Sequence, residues 1–134
     1  MIINISNKTT VKDIQKRFSV AYPFLKIEFS DKQHKEGERT KNGHWYDSSF
    51  RVLSIARKPE PGWVIIQPWQ KTGYVEELFK DRFGLYPQIF RREGNYWVET
   101  AGTDVFTLEE QNSIGRKVVD TSRRFSWRER DLLL

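Results

Sequence analysis

Residues 2–29 read IINISNKTTVKDIQKRFSVAYPFLKIEF, and residues 65–90 read IIQPWQKTGYVEELFKDRFGLYPQIF. The first stretch opens on Ile2 to Ile5, apolar and β-branched, the composition of a strand. Asn7-Lys8-Thr9-Thr10 breaks it, and either threonine can cap a helix by accepting from an orphan backbone N–H. Val11, Ile14, Phe18 and Ala21 then recur at helical spacing, with Lys12, Asp13, Gln15 and Lys16 on the other face. Pro23 stops the helix and pushes Tyr22 to an extended conformation. Leu25, Ile27 and Phe29 alternate with Lys26 and Glu28, the pattern of a half-buried strand.

The second stretch repeats that order. A strand is followed by Lys71-Thr72, a helix with Val75, Leu78, Phe79 and Phe83 on one face, and a further strand. Lys8-Thr9 matches Lys71-Thr72, Phe18 matches Phe83, and Tyr22-Pro23 matches Tyr86-Pro87, at offsets of about 63 to 65. The expectation is a duplicated β-α-β unit, about residues 1–30 and 63–92. The fold class is α+β: a mixed sheet from two β-α-β repeats with helices packed on one face, plus a short C-terminal helix.

Outward from these units the chain is simpler. Asp31 to Gly43 contains no apolar residue and reads as a loop or a hairpin tip at Asn42-Gly43. Ser48 to Arg57 fits a short helix capped at Asp47-Ser48 slightly better than a strand. Pro59-Glu60-Pro61-Gly62 is a turn. Gly84 is placed to close its helix in the left-handed region. Pro87 to Arg92 and Asn95 to Thr100 form a hairpin around Glu93-Gly94. Thr107-Leu108-Glu109-Glu110 is a capping box opening a helix that Gly115 ends. One domain, residues 1–115, is then followed by a basic tail, 116–134.

The chain has 134 residues and no cysteine, which excludes disulfides, Cys-ligated zinc, iron–sulfur clusters and thiol nucleophiles. A reducing, cytoplasmic setting fits. The first residues lack the basic and long apolar segments of a secretory signal, and no apolar run is long enough to cross a membrane. The net charge is +5, which makes acidic partners, nucleic acid among them, more favourable. Bases concentrate in residues 1–30 and 116–134, whereas residues 71–115 are net acidic.

Signatures of catalysis are missing. There is no phosphate-binding glycine loop and no nucleophile elbow. His34 and His44 lie in a polar stretch with a spacing that matches no metal-ligand motif, so neither a metal nor another cofactor is expected. The pairs Glu76-Glu77 and Glu109-Glu110 read as first-turn acids favouring the helix dipole, and Asp104 as a turn residue. What stands out is aromatic content beside arginine. Arg91 and Arg92 lie across the hairpin from Tyr96 and Trp97, and the tail carries Arg123, Arg124 and Trp127. These seven residues are the candidate binding set. The leading expectation is a non-catalytic protein-interaction module, binding a protein partner or itself. The alternative is a nucleic-acid-binding domain that stacks bases on the aromatics, and a third reading is an enzyme with an unrecognised site around His34 and His44.

Overall fold

The computed structural model describes residues 1–31 and 44–133, without the side chains of residues 122–133. The expected loop at 32–43, with His34 and the Asn42-Gly43 tip, therefore lies outside the described residues. In chain order the elements are β1 (Ile2–Ile5), α1 (Val11–Ala21), β2 (Leu25–Ser30), α2 (Val52–Ile55), β3 (Gly62–Ile65), α3 (Thr72–Phe83), β4 (Tyr86–Glu93), β5 (Tyr96–Glu99) and α4 (Leu108–Leu133). A 3-10 turn, Ala101–Thr103, joins β5 to α4. The class is α+β, as the sequence pattern implies.

The expected mixed sheet is not formed. The strands make two antiparallel sheets, β1-β3 and β2-β4-β5. β1 pairs with β3, Ile3 opposite Val64, and β2 pairs with β4, Ile27 opposite Ile89. The two strands flanking α1 therefore belong to different sheets, and so do the two flanking α3. Local alternation foretells which residues face inward but not which strand is the neighbour, so it could not supply the pairing that the expected mixed sheet assumed.

Alternation along each strand sends Ile3, Ile5, Leu25, Ile27, Phe29, Val64 and Ile89 into one core with Val11, Ile14 and Phe18 of α1 and Val75, Phe79 and Phe83 of α3. Phe29 and Phe79 meet edge to face at 5.5 Å. Burial of such side chains contributes about 1.5–3 kcal/mol each.

The caps follow the sequence closely. Thr10 and Asp13 form a capping box, as do Thr107 and Glu110. Gly84 closes α3 at φ 61°, and Gly94 turns the β4–β5 hairpin at φ 60°. The short helix α2 differs in detail: Arg51 sits at its cap position with no side-chain bond, while Asp47 Oδ1 accepts from Ser49 instead. The final helix departs most. Gly115 does not end α4, which continues to Leu133, so the expected short helix and tail form one helix. The glycine serves close packing: a Cβ there would lie 2.9 Å from Phe24 Cβ and 3.2 Å from the Arg92 carbonyl oxygen.

Both halves make the same backbone bonds. Val11 N–H donates to the Phe50 carbonyl and Thr72 N–H to Phe106; Lys12 donates to Ser48 and Gly73 to Asp104; Val52 donates to Thr9 and Leu108 to Gln70. Thr10 bridges Arg51 as Lys71 bridges Thr107. The spacing is constant, 61 residues between helix partners such as Val11 and Thr72 and 56 between loop partners such as Phe50 and Phe106. This is not the alignment drawn from shared dipeptides. Tyr22 caps α1 while Tyr86 begins β4, and the residue matching Lys71 is Thr10, not Lys8.

Candidate interaction surface

On the three-stranded sheet, alternation and register decide what faces outward. Lys26 stands opposite Phe90, Phe90 opposite Glu99, and Arg92 opposite Trp97. A bridge from Ser30 to Trp45 brings the Trp45 ring 5.5 Å from Phe90, edge to face. The Lys26 ammonium lies 4.9 Å over Phe90 and 5.2 Å over Trp97, and the Arg92 guanidinium lies 5.3 Å over Trp97. Three rings and two cations thus form one connected, half-buried stack across the sheet. Each such cation–ring contact is worth about 0.5–1 kcal/mol when exposed and more when desolvated. Glu28 sits 3.7 Å from Lys26, and Glu99 closes the far side, so the face carries both signs.

The sequence-derived candidates divide accordingly. Arg92 and Trp97 join this stack, with Arg92 Nε fixed on the Gly94 carbonyl at 2.8 Å. Arg91 points to the opposite side, where Nη1 donates to Gln111 Oε1 at 2.8 Å and ties α4 to β4. Tyr96, opposite Glu93, is 76% exposed and stands apart from the stack. Arg123, Arg124 and Trp127 lie on α4, with side chains outside the described residues. Among the described residues no group of three or more His, Asp or Glu could hold a metal ion, and no helix is long and apolar enough to cross a membrane.

Lys26, Phe90 and Trp45 stand outside the candidate set drawn from the sequence. The alternation of β2 already turns Lys26 outward, but only the strand register sets it over the rings of β4 and β5. A second exposed apolar face was also missed. On the two-stranded sheet, Ile2 and Ile65 stand opposite each other, with Trp63 beside them, all largely exposed.

One buried group also escaped. Glu76 lies beyond the first turn of α3, and its Oε2 accepts from Ile89 N–H at 3.2 Å. That is the ladder position β5 vacates when the Thr100 carbonyl turns to accept from Thr103. Burial pushes the Glu76 carboxyl well above the usual carboxylate range, and the charge of Asp104 and a hydrogen bond shared with it push the same way. Both effects favour the protonated form of Glu76. Its bond to β4 makes it part of the sheet.

No family model matches this chain, nor does any curated protein or solved structure.

Proposed function

We propose that this chain is a small non-catalytic protein-interaction module that docks its partner on the outer face of β2-β4-β5. The observation that carries the reading is the connected stack of Trp45, Phe90, Lys26, Trp97 and Arg92. Aromatic and arginine side chains, prearranged and half-buried, are the anchors on which protein interfaces concentrate their binding energy. The balance of charge favours protein over nucleic acid. Lys26 pairs with Glu28 at 3.7 Å and Glu99 stands opposite Phe90, whereas a phosphate backbone calls for a surplus of cations. We read the module as two related units, supported by the backbone bonds repeated at constant spacing. A cysteine-free composition supports a cytoplasmic setting.

The test compares Trp97→Ala with Tyr96→Ala, which lies off the stack. Partners captured from a cell extract are quantified by mass spectrometry, with self-association followed by sedimentation velocity. The reading expects a stoichiometric partner, or a second copy, retained by wild type and Tyr96→Ala and lost by Trp97→Ala. Identical capture by all three proteins would sink it. The alternative, single-stranded nucleic acid, draws on the same rings beside cations on a sheet face. Tight binding of mixed-sequence single-stranded RNA that weakens steeply with salt, and fails in Trp97→Ala, would put that reading in its place.

A further inference from the structure

The edge of β1 that faces away from β3 offers a second surface, on the other sheet from the stack. Met1 and Ile66 exchange both backbone bonds, at 2.8 and 2.9 Å. Antiparallel alternation then makes Ile3–Val64 and Ile5–Gly62 the bonded pairs, and turns the N–H and C=O groups of Ile2 and Asn4 away from β3. The Thr9 hydroxyl, 3.4 Å from the Asn4 carbonyl, confirms that direction. Among the described residues no strand pairs with this edge. Beside it runs a groove of about 330 Å³ lined by Ile3, Asn4, Thr9, Asp13, Lys16 and Arg17.

The groove has an edge of backbone donors and acceptors on one side and the α1 rim on the other. Lys16 and Arg17 are exposed on that rim. Asp13, its single acid, is turned onto Thr10 N–H at 2.9 Å in the capping box. The matching edge of the second unit differs. Gln70 reaches the Ile65 carbonyl as Thr9 reaches Asn4. At the 61-residue spacing, however, Tyr74, Glu77 and Leu78 stand where Asp13, Lys16 and Arg17 do. One edge is thus flanked by bases and its counterpart by an acid and apolar groups.

We propose that the β1 edge and the Lys16–Arg17 rim take an extended acidic peptide segment of a partner protein as an added strand. Backbone pairing supplies affinity, and the two cations select acidic side chains on the strand face that meets α1.

The probe is a fluorescein-labelled peptide alternating valine and glutamate, with a valine–lysine peptide as its opposite, titrated by anisotropy at low salt. Wild type is expected to bind the acidic peptide at least about tenfold more tightly than the basic one. The double variant Lys16→Glu/Arg17→Glu, both exposed, should lose about tenfold or more. Asn4→Pro removes an N–H that faces the groove and not β3, and should weaken binding similarly. Glu77→Ala on the second unit should change nothing. Equal binding of the two peptides, or full binding by the charge-reversed variant, overturns the proposal. So does a concentration-dependent dimer abolished by Asn4→Pro that the acidic peptide cannot displace, because a second copy would then be the occupant.

Discussion

Gln15 and Glu76 occupy the same place in the two halves, 61 residues apart on matching helices, and each reaches a backbone group of the neighbouring strand. Gln15 Nε2 donates to the Ile27 carbonyl at 3.0 Å, whereas Glu76 Oε2 accepts from Ile89 N–H at 3.2 Å. The position matching Asp104 in the first half is Ser48. One scaffold thus carries an amide in one half, which also donates to Glu28 Oε2 at 3.1 Å, and an acid pair in the other. The comparison teaches that the shared backbone sets where a side chain must close the ladder, while its chemistry is free to diverge.

The largest effect tests whether the halves share one core. Phe18 and Phe79, fully buried at matching positions, should each cost about 3–5 kcal/mol on replacement by alanine, as measured by urea unfolding. Costs that agree within about 1 kcal/mol sharpen the equivalence, and one large and one negligible cost would break it. Next, Gly84→Ala should cost about 2 kcal/mol, since alanine pays for the left-handed backbone and its Cβ would lie 2.7 Å from Arg57 Cβ. The first half has no such constraint, because α1 ends on Tyr22 at φ −131°.

Smaller effects concern the caps. Thr10→Ala and Thr107→Ala should each lower stability by about 1 kcal/mol. Lys71 has no side-chain cap bond, so Lys71→Ser should leave stability unchanged or raise it by about 0.5 kcal/mol. A loss there would show that Lys71 does something its counterpart Thr10 does not.

The last effect vanishes in acid and grows with pH. Glu76 has a raised folded pKa, so its contribution to stability is complete below its ordinary value of 4.5 and is lost as pH rises towards the folded pKa. The charged groups acting on it, Asp104 and Glu99, are both acidic. Glu76→Gln imports the side chain of the first half, and its amide oxygen can still accept from Ile89 N–H. Melting curves of this variant should match wild type near pH 4.5 and show greater relative stability towards neutral pH. Parallel pH profiles for the two proteins would refute the assignment of a raised pKa.

Much of this architecture was legible in the sequence, and the legible part was local. The Thr10 and Thr107 caps, the Gly84 and Gly94 turns, and the inward residues of β2 depend on neighbours a few positions away. Strand pairing depends on partners about 60 residues distant, so the mixed sheet was expected where two antiparallel sheets stand. The Tyr-Pro pairs suggested an offset of about 63 to 65, whereas the backbone bonds that recur do so at 61 and 56, because a dipeptide can recur without keeping its place in the fold. Gly115 was read as a helix end because its closest contact, Phe24, is unknowable from local pattern. Within the candidate surface, Arg92 and Trp97 were accessible through the hairpin, while Lys26 and Trp45 needed the register. Glu76 looked like a first-turn acid until the start of α3 at Thr72 set it deeper in the helix.

The pairing of β1 with β3 and of β2 with β4 has a kinetic consequence. As the chain leaves the ribosome, both strands of the first half emerge before the strands that complete them. Their ladders cannot close until β3 and β4 have followed, so the slow step should be the joining of distant segments, as in other high-contact-order chains. The two halves are interleaved and not strung in series: a nascent or truncated first half should remain unfolded, with strand edges exposed to aggregation, until the second half arrives.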